Sequence, residues 1–285
     1  MSSTFYPRGT DLRPTETFPA VQRTGMRFFR RVARTVAGIF RHIGLRGFFV
    51  RDILRALGSP ATYARESLRQ MRNIGVDSVP LAAIVAAFIG AVIAIQIRYQ
   101  LFQGVQLSLV GLASRLMIVL ELGPLLTGLV LTGRVGARMT AEIGTMRVTE
   151  QIDALETLAY DPIAFLVVPR LIAATIMLPT LVILADAVGL GSAYVMSVFF
   201  TKVPAQDFKE GLRLGYGAFQ LFYSLLKGTL FGAAIAFNCA YEGYITETGA
   251  EGVGRSTARA VVITSVVILV LDAITAVLLG PLLQA

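Results

Sequence analysis

The fold is decided by residues 121–162, ELGPLLTGLVLTGRVGARMTAEIGTMRVTEQIDALETLAYDP. The first half is an apolar run with a single carboxylate, Glu121, and the second half keeps apolar residues at helical spacing while acids and arginines occupy the other faces. Proline disfavours helical geometry in the residue before it, so Asp161 followed by Pro162 ends the pattern. We predict a membrane helix that continues into a short, mixed-charge amphipathic helix at the water boundary, a form suited to transmitting force to a soluble partner.

The composition places the chain among α-helical membrane proteins. Of its 285 residues, 55% are hydrophobic and 15% are charged, whereas an ordinary soluble domain has about 25% charged residues. Several apolar runs reach the ~18 residues that a spanning helix needs, and they are continuous rather than alternating, which disfavours a β-barrel. The lone cysteine, Cys239, excludes a disulfide framework within the chain and a metal site built on thiolates.

The positive charge is concentrated at the N-terminus. Residues 1–78 hold 14 arginines and 5 acidic residues, a net charge of +9, whereas the rest of the chain carries −1, so this region accounts for the net charge of +8. A basic flank beside the first span predicts a cytoplasmic N-terminus that faces anionic headgroups rather than nucleic acid. We predict a flexible tail over 1–25, basic amphipathic interfacial helices over 26–78 and a transmembrane domain over 79–285. A soluble helix packed on a partner is the alternative for the amphipathic region.

About five transmembrane helices follow. The predicted spans are 79–97, 107–131, 163–200, 218–241 and 260–283. At ~1.5 Å per residue the third run would exceed about 50 Å, against a hydrocarbon core of ~30 Å. We therefore expect one long span bent near Pro169 or Pro179, with two half-spans as the alternative. A cytoplasmic N-terminus then places the 133–162 and 242–259 connections in the cytoplasm.

Five ionisable residues fall within or near the spans: Arg115, Glu121, Asp186, Lys227 and Asp272. Each costs roughly 2.5–3.5 kcal/mol at the bilayer centre, so each should face the bundle interior or a wet cavity. Counting along the helices predicts Arg115, Lys227 and Asp272 at one level, with Glu121 just beneath. For Glu121 and Lys227 we favour a cavity for an amphiphile with a charged head. The alternative, open above all for the other three, is mutual neutralisation that holds the helices in register.

Motifs for chemistry on a covalent bond do not occur in the sequence. It has no G-x-x-x-x-G-K-[ST] run, and its glycine-rich stretch GAEGVGRST, residues 249–257, has neither a lysine nor a preceding strand. The single histidine, His42, has no ligand cluster near it, and no serine or cysteine nucleophile sits in a base-bearing motif. We predict a non-catalytic subunit without a metal or cofactor of its own.

The central stretch belongs to a wider resemblance. Together with RQMRNIGV at 69–76, FIGAVIAIQ at 88–96 and GVGRSTARAVV at 252–262, it closely resembles the MlaE (YrbE) permeases, the membrane subunits of ABC transporters that work with MCE-domain lipid-binding proteins. The resemblance covers roughly residues 66–280. It implies an MlaE-type permease that moves phospholipid or a related lipid between the inner and outer envelope, in a bacterial inner membrane, or between organelle membranes. It also implies a permease homodimer, two ATPase subunits that bind ATP and Mg, and an MCE-domain protein on the outer side.

The resemblance also implies roles for particular residues. Residues 140–158 are similar to the family's coupling helix, which docks on the ATPase. The coupling residues implied there are Glu142, Met146, Arg147, Glu150, Gln151 and Asp153. Glu121 and Lys227 match charged positions associated with the lipid cavity, whereas Asp186 has no counterpart. Leu120 stands where some members have arginine, and Arg115 is the candidate to supply that charge.

Two other classes of function compete with a lipid permease. In an ion-coupled secondary transporter, Glu121, Asp186 and Asp272 would form a proton or sodium relay. The sequence shows no internal repeat, which weighs against this class. A scaffold that only anchors partners is the other alternative, but intramembrane charges are a costly feature for that role.

Overall fold

The computed structural model describes residues 44–58, 60–102, 104–247 and 249–283. The chain divides into two units, residues 1–49 and residues 50–285. In the first unit the described residues, 44–49, are helical, and in the second unit residues 50–56 are helical and precede a bundle of long helices. The predicted tail, residues 1–25, and residues 26–43 of the predicted basic amphipathic helices lie outside the described residues.

Five helices in the described ranges are long and apolar enough to cross a membrane. They are Tyr63–Gln100, Ser108–Val148, Ile163–Phe200, Ala218–Tyr244 and Ala250–Leu282, hereafter the first to fifth spans. The described residues contain no β-strand. The prediction of an all-α membrane protein with about five spans is therefore confirmed. The helices extend beyond the apolar runs at several ends because polar helical turns continue from them.

The third span is one helical element of 38 residues, so the alternative of two half-spans is wrong. Its α-helical part, Val168–Val195, is flanked by π turns at Ile163–Val167 and Met196–Phe200. Pro169 lies in the first α-helical turn, where its missing N–H is tolerated, and Pro179 lies inside the helix.

The second span is interrupted by two π turns. Its α-helical segments are Ser108–Met117, Gly123–Leu131 and Ala137–Val148, and the π turns between them are Ile118–Leu122 and Thr132–Gly136. A π turn changes the direction in which the side chains of a helix point and is frequent at functional sites. Glu121, the one carboxylate of the apolar half, lies in the first of these π turns.

The spans pack through small residues. The first span packs mainly on the third, the third on the fourth, and the fourth on the fifth and on the end of the second. Gly90 illustrates how close the backbones come, because a Cβ atom there would lie 2.0 Å from the carbonyl oxygen of Gly189. Small residues at such crossings allow the helices to approach without a clash.

Two short helices lie in the connections. Gln151–Thr157 lies between the second and third spans, and Ala205–Arg213 lies between the third and fourth at the opposite end of the bundle. The fifth helix begins at Ala250, ten residues before its predicted start at 260, so the predicted 242–259 loop is wrong in extent. Gly249, at a φ of 92°, precedes this helix, and the glycine-rich stretch forms its first turns.

Candidate functional site

Lys227 is the centre of a charge cluster between three spans. Its side chain is fully buried, at 0% exposure. Its Nζ atom lies 2.7 Å from Oε2 of Glu121 and 2.8 Å from Oδ1 of Asp272. The same ammonium lies 4.7 Å from the centre of the Tyr223 ring, within the range of a cation–π contact. One cation thus faces two carboxylates, and the cluster carries an excess of one negative charge.

The backbone around Glu121 completes the coordination of Lys227. Pro124 has no N–H, so it cannot donate the usual helical hydrogen bond to the carbonyl of Leu120 four residues earlier. Nζ of Lys227 donates to that carbonyl at 3.0 Å. The π turn and the proline therefore give Lys227 a third oxygen acceptor beside its two carboxylates.

The three charged residues differ in how far they open to the surface of the bundle. The Lys227 side chain is 0% exposed and that of Asp272 is 16% exposed, whereas that of Glu121 is 45% exposed. A half-exposed carboxylate in a membrane span is costly unless it faces water, a ligand or another subunit. Glu121 is therefore the side of the cluster that an outside group can contact.

Asp186 adjoins this cluster without forming an ion pair in the described part of the chain. Its Oδ2 accepts a hydrogen bond from the hydroxyl of Ser224 at 2.9 Å, one turn before Lys227 on the fourth span. Its Oδ1 is buried against Gly123, where a Cβ atom would lie 1.9 Å from that oxygen. The hydrogen bond from Ser224 fixes one oxygen of the Asp186 carboxyl group, and the absence of a side chain at Gly123 leaves room for the other.

Arg115 does not join the cluster, so the expectation that it shares a level with Lys227 and Asp272 is wrong. Its guanidinium donates hydrogen bonds to the side-chain oxygen of Gln220 and, at 2.8 Å, to the carbonyl of Leu214. Gln220 precedes Lys227 by seven residues, about 10 Å along a helix. Arg115 ties the second span to the connection before the fourth, and it does not supply the charge that resemblance places at Leu120.

The segment predicted as a continuous coupling helix is broken in the structure. The second span ends at Val148, Glu150 adopts a left-handed backbone with φ 59°, and a short helix follows over Gln151–Thr157. Arg147 crosses the break with an ion pair of 2.7 Å to Asp153. The charged sequence thus forms two helical segments separated by a tight turn, and not one continuous helix.

Glu142, one of the predicted coupling residues, lies in an internal ion-pair network. It accepts a hydrogen bond from Arg138 at 2.8 Å and pairs at 3.2 Å with Arg170 of the third span. The other predicted coupling residues, Met146, Glu150 and Gln151, lie around the break, and the last two are exposed.

An apolar groove lies beside the short helix. It is lined by Met146, Gln151, Ala154, Leu155, Leu158, Phe165 and Leu166. Leu158 is 68% exposed, although it is a large apolar residue at the end of the bundle. Two predicted coupling residues, Met146 and Gln151, border this groove, whereas the charged members of that set point elsewhere or pair with one another.

The sequence alone did not identify several residues of the site. Tyr223 and Ser224 carry no charge and were indistinguishable from other polar residues of an apolar span. The contact of Lys227 with the Leu120 carbonyl had a signal, because Pro124 stands four residues after Leu120 and frees that acceptor. Arg170 also escaped notice, since its Glu142 partner is distant in sequence.

These features define a multi-pass α-helical membrane protein with a buried lysine–carboxylate cluster. Comparison with known proteins then assigns the family, because the family model described as "Permease MlaE" matches residues 67–278. The chain belongs to the MlaE permease family.

Individual relatives agree with this assignment. A probable ABC transporter permease protein of Rickettsia prowazekii is 37% identical over 228 residues, which cover 80% of this chain and 88% of the relative. A probable ABC transporter permease protein of Synechocystis is 42% identical over 199 residues, 70% of this chain and 75% of the relative. The intermembrane phospholipid transport system permease protein MlaE of Haemophilus influenzae is 31% identical over 257 residues, 89% of this chain and 98% of the relative.

Proposed function

We propose that this chain is the transmembrane permease subunit of an ABC transporter that moves phospholipid or a related lipid across the cell envelope. The observation that carries the proposal is the buried Lys227, paired with Glu121 and Asp272 at 2.7 and 2.8 Å between apolar spans. Such a cluster offers polar contacts for a lipid headgroup, while the apolar helices around it suit acyl chains. The similarity to a relative named as a phospholipid transport permease supports the same substrate class.

A permease of this kind needs an energy source and partners. The chain has no P-loop motif, so ATP and Mg would be bound by a separate ATPase dimer and this subunit would be non-catalytic. The apolar groove around Met146, Leu155 and Leu158 is the docking surface we assign to that ATPase. An MCE-domain lipid-binding protein would receive or deliver lipid at the opposite end of the bundle.

The half-exposed Glu121 favours assembly with a second copy. A carboxylate 45% exposed within a membrane span is stabilised if two permeases enclose a polar cavity between them. We therefore propose a homodimer in the bacterial inner membrane, with the N-terminus and the 149–162 connection in the cytoplasm. The arginine-rich N-terminal region supports that orientation.

The ion-coupled alternative is less compatible with the cluster. A relay through Glu121, Asp186 and Asp272 requires carboxylates that can release and take up ions. Lys227 occupies two of these carboxylates as a permanent counter-charge. The specific feature that keeps the alternative testable is Asp186, whose buried Oδ1 has no hydrogen-bond partner among the described residues.

Purification of the tagged full-length chain from its own membranes tests the proposal. We expect an ABC ATPase and phospholipid to co-purify, the first identified by peptide and the second by lipid mass spectrometry. Lys227→Ala should remove most of the phospholipid, whereas Lys209→Ala, at an exposed lysine, should leave it in place. Transport that follows an ion gradient and needs no ATPase would overturn the proposal in favour of the secondary transporter.

A further inference from the structure

A second charged pocket lies at the end of the bundle that carries the 149–162 connection. Its polar lining consists of Gln70, Asn73, Arg134, Arg138, Glu142 and Arg170. These side chains come from the first, second and third spans. The pocket shares no residue with the Lys227 cluster on the fourth span.

The pocket has more positive than negative charge. Its three arginines face a single carboxylate, Glu142, which is already shared between Arg138 at 2.8 Å and Arg170 at 3.2 Å. Arg134 is half-buried, and within the described ranges it has no ion-pair partner. Its Nη1 atom is buried, and no acceptor in that part of the chain takes a hydrogen bond from it. A buried guanidinium donor without an acceptor is costly, so the pocket is suited to an anion.

The pocket lies at the level expected for lipid headgroups. Asn73 precedes the apolar helix that begins at Val79 by six residues, or about 9 Å at ~1.5 Å per residue. The interfacial layer of a bilayer lies just beyond its ~30 Å hydrocarbon core. An anion that reaches Arg134 from the bilayer therefore comes from this layer rather than from the apolar interior.

We propose that this pocket binds a phosphate group, supplied by an anionic phospholipid of the adjacent leaflet. Guanidinium groups bind phosphate oxygens through paired, charge-assisted hydrogen bonds, and Arg134 has donors free for that role. The amide of Asn73 adds neutral donor capacity at the rim. Free inorganic phosphate has the same chemistry, so the test must separate the two sources.

The test measures binding to the purified full-length chain in detergent with three probes. Dioctanoyl phosphatidic acid carries both phosphate and acyl chains, dioctanoylglycerol carries acyl chains only, and inorganic phosphate carries the anion only. We expect phosphatidic acid to bind, dioctanoylglycerol to bind much more weakly, and inorganic phosphate to compete only at far higher concentration. Arg134→Gln should weaken phosphatidic acid about tenfold or more, the effect of losing a charge-assisted hydrogen bond.

The matched control is Arg255→Gln, which makes the same change at an exposed arginine at the same end of the bundle. Its affinity for phosphatidic acid should equal that of the unmodified chain. Glu142→Gln removes the one carboxylate of the pocket lining and should tighten the binding of phosphatidic acid, and unchanged or weaker binding would count against the proposal. Because Glu142→Gln keeps all three arginines, this gain-of-affinity arm remains informative if Arg134→Gln fails to fold.

The remaining outcomes would overturn the proposal. Equal binding of dioctanoylglycerol and phosphatidic acid would show that the phosphate is not recognised. Inorganic phosphate as tight as phosphatidic acid would make the pocket a free-anion site instead. Repeating the Arg134→Gln comparison in a Lys227→Met, Glu121→Gln, Asp272→Asn background, in which the cluster has no unpaired charge, separates this pocket from the proposed transport site. The tenfold effect should persist there even if Lys227 proves to have no part in lipid transport.

Discussion

The ammonium of Lys227 donates a hydrogen bond of 3.0 Å to the backbone carbonyl of Leu120. This contact joins the fourth span to the π turn of the second, where Pro124 removes the N–H that would normally occupy that carbonyl. The same ammonium pairs with Glu121, the next residue along the chain. Backbone and side chain of one helical turn thus fix the position of a buried cation.

Lys227→Met tests whether the cluster acts in transport or only in folding. The substitution leaves Glu121 and Asp272 without their cation, so we expect a loss of about 3–5 kcal/mol in the free energy of unfolding. Adding Glu121→Gln and Asp272→Asn removes the unpaired charges and should restore most of that stability. Stability is measured by thermal unfolding in detergent, and lipid transport by reconstitution with the ATPase.

The triple variant should remain inactive in transport despite its recovered stability, because it has no charged group to meet a headgroup. Lys209→Met, the same change at an exposed lysine, should be normal in both assays. Lipid transport by the triple variant would mean that the charges serve only to hold the helices in register.

Substitutions of the two carboxylates, Glu121 and Asp272, should have different effects on stability and on transport. Removing either one leaves Lys227 with the other, so neither single substitution creates an unpaired charge in the cluster. Asp272 is 16% exposed and Glu121 is 45% exposed, so Asp272→Asn should cost more stability, because its ion pair is the more buried of the two. Glu121→Ala should abolish transport while membrane insertion, measured by fractionation, stays normal. Equal transport by Glu121→Ala and the unmodified chain would remove Glu121 from the proposed lipid cavity.

Hydropathy was sufficient to predict five spans because a run of about 18 apolar residues has few other stable environments. Counting residues along the predicted helices placed Arg115, Lys227 and Asp272 at one level with Glu121 just beneath, and the structure brings Lys227, Asp272 and Glu121 together. It failed for Arg115, which pairs at the level of Gln220, seven residues before Lys227, because counting from the ends of apolar runs does not fix the relative heights of packed helices. The guanidinium of Arg115 instead donates to Gln220, in the first turn of the fourth span, and to the Leu214 carbonyl in the connection before it.

The break after Val148 could not be predicted because it has no sequence signal. Glycine or asparagine usually occupies the left-handed position that ends a helix, whereas here that position is Glu150, at φ 59°. The opposite error occurred at residues 249–257, where several glycines predicted a loop. Gly249 alone has the conformation that requires glycine, and the residues after it are helical.

Gly123→Ala tests the close packing of the Asp186 carboxyl group against the second span. The added methyl group would lie 1.9 Å from Oδ1 of Asp186, so that carboxyl or the backbone must move. We expect a loss of about 1–3 kcal/mol, the usual cost of overpacking a core. Gly133→Ala is the matched control on the same span, because its added methyl group would have no atom within 4 Å other than its chain neighbours and the nearby backbone of its own helix. Thermal unfolding should show a shift for Gly123→Ala and little change, or a small gain, for Gly133→Ala.

A double-mutant cycle tests whether the Asp186 carboxyl group causes the loss of stability in Gly123→Ala. If Asp186 is the obstacle, Asp186→Ala should make Gly123→Ala nearly neutral, giving an interaction energy of about 1 kcal/mol or more. Additive losses from the two substitutions would contradict the packing described here and would place the strain in the backbone of the π turn.

Leu158→Ser tests the proposed ATPase surface. Leu158 is 68% exposed at the rim of the apolar groove, and an exposed leucine of this kind gains most by burial against a partner. Removing it should sharply reduce co-purification of the ATPase, because the partner loses an apolar anchor, while the stability of the isolated chain changes little. Leu214→Ser makes the same change at a leucine that is 53% exposed at the opposite end of the bundle, and ATPase recovery should be unaffected. Equal ATPase recovery with both variants would place the docking surface elsewhere, and loss with Leu214→Ser alone would reverse the proposed orientation.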